Sequence, residues 1–367
     1  MPETQPQAAE PPSAQPVSAS APTGPNPVLV SAINRVASRL DLSGDEAADV
    51  LDQIMRGAAS SEEIAGFLVG LRTKGETAAE LAGLARTMRA HATPVTAQRG
   101  DLVDTAGTGG GDPTFNVSTT AAFVAAGAGC AVAKHGNRSN TSLCGSADLL
   151  EALGANIDLS PGAVATLIDE IGFGFMFAPS YHSAMRFVVP VRKALGVRTV
   201  FNFLGPLTNP AGAKRQLIGV ADTGLLDTIA HALAQLGVEH ALVVNGEGRY
   251  DEISASGTSR VLEVRGADVV EMQLAPSDLG LTAVDSTALS AGTPEQNAQL
   301  TREVLAGRDG AERALVLANA AAAIYVGGKS ASLLDGAQLA AQAIDSGMAT
   351  AALDNFIQRS NELRGAA

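Results

Sequence analysis

The sequence contains no tryptophan, and aromatic residues make up only 4% of its 367 positions. Proteins that grip single-stranded nucleic acid stack bases on aromatic rings, and this chain has few rings to offer. Basic residues are also scarce: 25 Lys and Arg stand against 38 Asp and Glu, a formal charge of −13, which repels a phosphate backbone over most of the surface. Nucleic acid is therefore not an expected partner, although a local cluster of cations can still hold a small phosphorylated molecule. The two cysteines, Cys130 and Cys144, make neither a disulfide framework nor a four-thiolate metal site, and they suit a reducing, cytoplasmic setting. No apolar run reaches the length of a membrane span. Residues 1–26, rich in Pro, Ala, Gln and Ser with no basic residue, lack the positive start and apolar centre of a signal peptide and read as a disordered tail.

Hydrophobic residues account for 46% of the chain, enough for a sizeable core in two domains or one large domain with an appendage. Helix signals begin at Asn26-Pro27, a cap residue followed by proline at the first helical position. Ser43 with Glu46, Ser60 with Glu63, and Thr77 with Glu80 each read as a capping box, and each precedes an amphipathic run. Residues 27–98 are expected to form an all-helical unit. From residue 99 onward short apolar runs alternate with helical stretches. Candidate strands are Leu102-Val103 and residues 130–133, 173–177, 217–220 and 241–244; candidate helices are 119–128, 145–153, 161–171 and 225–236. This alternation predicts an α/β domain with a mostly parallel central sheet covered by helices. Strand-like runs follow at 261–264 and 269–272, and the chain beyond residue 294 reads as helical.

Three stretches carry chemistry. Gly107-Thr108-Gly109-Gly110-Gly111-Asp112, with Asn116-Val117-Ser118-Thr119 behind it, lies between a strand and a helix. Bare glycine amides and a helix N-terminus suit phosphate. The loop is neither a dinucleotide fingerprint, because Asp112 stands where the last glycine belongs, nor a P-loop. Lys134-His135-Gly136-Asn137-Arg138, placed just past a candidate strand, gathers two cations and an imidazole; it is either a solvated turn or a basic bend beside the phosphate loop. Asp251-Glu252 is either a solvated pair or a holder of Mg²⁺ shared with substrate phosphates. Together the three suggest a magnesium-diphosphate substrate. Residues 177–185, with His182, lead on to Arg192, whose guanidinium can fork onto a carboxylate.

These strings occur in the order Gly107-Thr108-Gly109-Gly110, Asn116-Val117-Ser118-Thr119, Lys134-His135-Gly136-Asn137-Arg138, Phe177-Ala178-Pro179 with Tyr181-His182, Leu204-Gly205-Pro206-Leu207-Thr208-Asn209-Pro210 and Asp251-Glu252. In that order they resemble the anthranilate phosphoribosyltransferase family over residues 28–360. The resemblance implies a small helical domain (27–98, with 188–210 returning to it), an α/β domain (99–187 and 211–367) and a homodimer. It implies phosphoribosyl diphosphate at Gly107, Thr108, Gly109, Gly110, Gly111, Asp112, Thr114, Asn116, Val117, Ser118, Thr119, Lys134, His135, Gly136, Asn137, Arg138, Ser142 and Ser146. Anthranilate would meet Gly107, Asn137, His182 and Arg192; Mg²⁺ would meet Ser118, Asp251 and Glu252. No general base is assigned. The chain departs from the family loop in exchanging Gly and Asp at 111–112 and in shortening it by one residue, and Pro113 removes an amide donor. His182-Ser183 stands in place of the family's His-Pro. The alternatives are a pyrimidine nucleoside phosphorylase-like enzyme and a non-catalytic, nucleic-acid-binding member of the same fold.

Overall fold

The computed structural model describes residues 24–139, 143–285, 289 and 292–365. Residues 1–23 of the expected tail, and Ser142, lie outside them. The chain opens with α1 (Pro27–Ala37), α2 (Gly44–Met55), α3 (Ser61–Lys74) and α4 (Ala78–Ala90). Local chemistry sets their starts. Asn26 Oδ1 accepts the Val28 amide at 3.0 Å, and the reciprocal capping boxes at Ser43, Ser60 and Thr77 are all formed. Each cap contributes about 1 kcal/mol by satisfying amides that the helix cannot.

The larger part runs β1 (Leu102–Gly107), α5 (Val117–Gly127), β2 (Ala131–Gly136), α6 (Ser146–Ala152), α7 (Pro161–Ile171), β3 (Phe173–Phe177), α8 (Ala178–Tyr181), α9 (Val189–Leu195), α10 (Phe201–Leu204), β4 (Arg215–Gly219), α11 (Leu226–Gln235), β5 (His240–Gly246), β6 (Ser259–Arg265) and β7 (Asp268–Leu274). The helices α12 (Pro294–Leu305), α13 (Ala311–Val326), α14 (Leu333–Asp345) and α15 (Met348–Glu362) complete it. The strands form one sheet in the order β3-β2-β1-β4-β5-β6-β7. The first five are parallel, and β6 and β7 add antiparallel at the edge. Among the described residues no helix is long and apolar enough to cross a membrane.

The order of strands locates a ligand crevice. From β1 the chain passes through α5 to β2 on one side, whereas from β4 it passes through α11 to β5 on the other. In open parallel sheets ligands settle at such a reversal, beyond the carboxyl ends of the strands. Here that place is the pair Gly107–Gly219, the last register partners of β1 and β4.

Two apolar clusters fill the interior. One packs α5, α7 and α13–α15 on one face of the sheet. The other joins α1–α4 to Val188, Val191, Val200, Phe201, Phe203, Leu204 and Leu207, and continues onto the opposite face through Ile218, Val243 and α11. The helical bundle thus shares its core with the 188–207 segment and with one side of the sheet.

The structure corrects one local reading. The Lys134-His135-Gly136 stretch is not a bend past a strand. It forms the end of β2, in register with Phe175, Met176 and Phe177 of β3.

Candidate active site

The glycine loop and the acid pair meet at the end of β1. The Gly109 amide donates to Asp251 Oδ2 at 2.8 Å, and the Thr114 hydroxyl donates to Glu252 Oε1 at 2.7 Å. The Thr108 amide donates to the Gly219 carbonyl at 2.9 Å, and the Ala221 amide to Thr108 Oγ1 at 3.2 Å. Gly219 must be bare, because a Cβ there would sit 1.5 Å from the Asp251 carbonyl. The chain therefore draws the acid-bearing loop directly over the switch point.

Burial makes the acid pair unsettled. Desolvation raises both carboxyl pKa values, and the charge of Asp251 pushes Glu252 up further. Glu252 Oε2 is shielded from water without a hydrogen-bond partner. Among the described residues no third His, Cys, Asp or Glu joins the pair to form a cluster. Two hard oxygen donors, one unsatisfied, beside a phosphate-type loop fit a divalent cation that takes its other ligands from substrate oxygens and water.

Lys134 is only 2% exposed. Its Nζ donates to the Thr105 carbonyl at 2.5 Å and lies 3.3 Å from both Thr105 Oγ1 and Ser118 Oγ, at the N-terminus of α5. Burial lowers its pKa to about 8, against the pull of Asp104. Ser118 thus turns its hydroxyl toward Lys134. Thr119 Oγ1 is buried and unpartnered, and Val117 is buried. The Asn116 side chain donates to the Cys144 carbonyl at 3.1 Å and accepts from Asn297 at 2.8 Å.

Other residues of the sequence reading are committed elsewhere. Arg138 pairs with Asp148 and Glu151. Asp112 is held by Arg249, whose carbonyl accepts its amide at 2.9 Å and whose guanidinium lies 3.4 Å from its carboxylate. This tie fastens the shortened loop to the acid-bearing loop. Asn137 is exposed; its carbonyl accepts from Ser146 Oγ at 3.2 Å.

His182 immediately precedes the 3₁₀ turn Ser183–Phe187 that leads into α9, without a side-chain capping bond. Its ring centre lies 5.1 Å from that of His135, and both Nε2 atoms are buried without partners. Desolvation drives the His182 pKa down to about 4, and it drives His135 to about 3 with the help of its neighbour ring. Both imidazoles are therefore neutral at physiological pH. Arg192, on α9, is half-buried with its guanidinium 5.6 Å from the centre of the Phe201 ring. Desolvation lowers its pKa, and no ion pair to it is found among the described residues.

The two rings yield a pH prediction. Each has a folded pKa below its unfolded value of 6.5, so protonation favours the unfolded chain. The stabilisation from the neutral rings is complete above pH 6.5 and is lost as the pH falls toward 4. For His182 the full loss is about 3 kcal/mol. Thermal unfolding between pH 7.5 and 4.5 is expected to show a steeper fall in Tm for the wild type than for His182→Gln; parallel curves would remove the burial effect.

Sequence reasoning missed three participants. Arg198 lies against Gly109 and Gly110. Asp104, at the heart of the sheet, accepts from Asn209 at 2.7 Å and from the His135 amide at 3.2 Å. Arg89, in the last turn of α4, donates to the Leu207 carbonyl at 2.7 Å and joins the bundle to the loop that also holds His135 through the Gly205 carbonyl. No local pattern marks any of them.

A helical bundle beside an α/β sheet, with an anion loop and acid pair at the switch point, defines a group-transfer enzyme handling a phosphorylated substrate. Family models agree: residues 30–92 match "Glycosyl transferase family, helical bundle domain" and residues 99–350 match "Glycosyl transferase family, a/b domain". The chain is 49% identical over 332 residues to an anthranilate phosphoribosyltransferase of Methanocorpusculum labreanum, covering 90% of this chain and 97% of that one. It is 50% identical over 340 residues to that of Rubrobacter xylanophilus, covering 92% and 99%. The crystal structure of the Thermus thermophilus enzyme matches with a TM-score of 0.85 at 44% identity, over 90% of this chain and 99% of that one. The Saccharomyces cerevisiae enzyme in complex with PRPP and Mg matches at 0.82 and 29% identity, over 91% and 98%. The chain belongs to the anthranilate phosphoribosyltransferase family.

Proposed function

We propose that the protein transfers the 5-phosphoribosyl group of phosphoribosyl diphosphate to the amine of anthranilate, releasing diphosphate, in tryptophan biosynthesis. The observation that carries this reading is the meeting of the Gly109 amide with Asp251 and of Thr114 with Glu252 at the mouth of β1. Asp251 and Glu252 would hold Mg²⁺ together with Ser118, whose hydroxyl lies in the first turn of α5. When bound, that ion supplies charge neutralisation for the departing diphosphate.

The chain's own groups do the rest by positioning and electrostatics. The C–O bond to diphosphate breaks as the C–N bond to the amine forms, and the amine then sheds a proton to solvent. An arylamine is neutral at pH 7, so no strong base is required. His182, neutral and with a free Nε2, is suited to accept a hydrogen bond from the amine and not to carry its proton. Lys134 holds the N-terminal turn of α5 in place and lends positive charge beneath the donor. Arg192 offers its fork to the anthranilate carboxylate.

The domain division at 27–98 and 188–210 against the remainder belongs to this reading, as does a homodimer. Exposed Val30 and Val69 on the adjoining helices α1 and α3 supply apolar surface for such an assembly, and sedimentation tests it. The central experiment is a fluorescence assay of anthranilate loss. Loss that requires both phosphoribosyl diphosphate and Mg²⁺ is expected. Phosphorolysis of thymidine or uridine in its place would favour the nucleoside phosphorylase alternative.

A further inference from the structure

We propose that Arg198 is a diphosphate-binding residue, the cation that reaches the leaving group of the ribosyl donor from across the crevice; this rests on the donor assigned above. A diphosphate carries several negative charges and needs cationic donors with unused N–H groups. The cations around the loop are largely spent. Lys134 is buried and directs its ammonium at Thr105 and Ser118. Arg138 is committed to Asp148 and Glu151, and Arg249 to Asp112 and Glu247. Arg192 lies against Phe201 and is the cation assigned above to the anthranilate carboxylate.

Arg198 differs. It is exposed, and Nη2 donates to the Gly109 carbonyl at 3.3 Å. No ion pair to it is found among the described residues, although its charge is felt by Asp251. A guanidinium has five N–H donors in a flat fork that matches phosphate oxygens, so most remain available. Its position is fixed by the chain. The helix α9 ends at Gly196 in a left-handed cap, and just past Arg198 the Thr199 amide is clamped to Asn202 Oδ1 at 2.9 Å, with Thr199 and Val200 buried. Gly110 is shaped around it: a Cβ at that residue, φ +88°, would lie 1.8 Å from Arg198 Nη1. The segment carrying Arg198 is rooted in the core of the helical bundle through Val191 and Val200. Its fork nevertheless rests on the α/β domain's phosphate loop, so this contact spans the two parts of the molecule.

The test uses the intact protein and magnesium pyrophosphate, the product, as probe. Calorimetry is expected to show affinity about 5- to 30-fold weaker for Arg198→Ala than for wild type, the loss of one or two charge-assisted hydrogen bonds at an exposed site. Arg198→Lys is expected to recover part of it. In steady state the KM for phosphoribosyl diphosphate should rise in Arg198→Ala while that for anthranilate stays within about twofold. Wild-type binding matched by Arg198→Ala overturns the assignment alone. A wild type that does not bind the probe overturns it together with the donor reading on which it stands.

Discussion

Replacing Asp251 by Asn together with Glu252 by Gln is expected to cut turnover by about 10³-fold or more while leaving the protein at least as stable as before. The two halves of this expectation come from the same desolvation. Both carboxyl groups are held where burial disfavours their charge, and the charge of Asp251 disfavours that of Glu252 further. Glu252 Oε2 is buried with no donor facing it. Amides of the same shape remove the repulsion, and their carbonyl oxygens can still accept from Gly109 and Thr114 at the places now taken by carboxylate oxygens. They are far poorer ligands for a hard divalent cation. Activity in the fluorescence assay, Mg²⁺ binding heats and thermal melts should therefore separate: the first two collapse and the third holds or rises. A drop in Tm of several degrees alongside the lost activity would mean that the acids are scaffold. Activity within tenfold of wild type would remove them from the site.

Helix starts are local, and Asn26, Ser43, Ser60 and Thr77 announce them within four residues; the structure forms every one of these caps. The parallel sheet follows from the alternation of short apolar runs with helices, and its boundaries shift where polarity interrupts a run. At Ala133 the apolar stretch of β2 ends, so Lys134 and His135 read as a bend. They lie in the strand because Thr105, Ser118 and the Gly205 carbonyl receive their polar atoms. Local rules tend to fail where function places charge in the interior. The contacts of Arg198 with Gly109 and of Arg89 with Leu207 join residues 89 and 118 positions apart. Nothing in a window of sequence connects them; only the fold does.

Replacing Arg192 by Ala is expected to raise the KM for anthranilate at least about 30-fold, because truncating one member of a half-buried, hydrogen-bonded charge pair costs about 2–5 kcal/mol. The KM for phosphoribosyl diphosphate should stay within about twofold. The guanidinium is desolvated and lies against the Phe201 ring, and no carboxylate pairs with it among the described residues. The fold thus bears the cost of a poorly solvated cation that a bound carboxylate would relieve. This predicts a specificity signature beyond the KM. Wild type should favour anthranilate strongly over aniline, which has the amine but no carboxylate, and the variant should lose most of that preference by accepting anthranilate worse and aniline no worse. Arg192→Met, which keeps the apolar stem against Phe201, should reproduce the kinetic loss without a fall in Tm, which separates the charge from the packing. Equal rises in both KM values, or an unchanged preference for anthranilate over aniline, would assign the carboxylate contact to another residue.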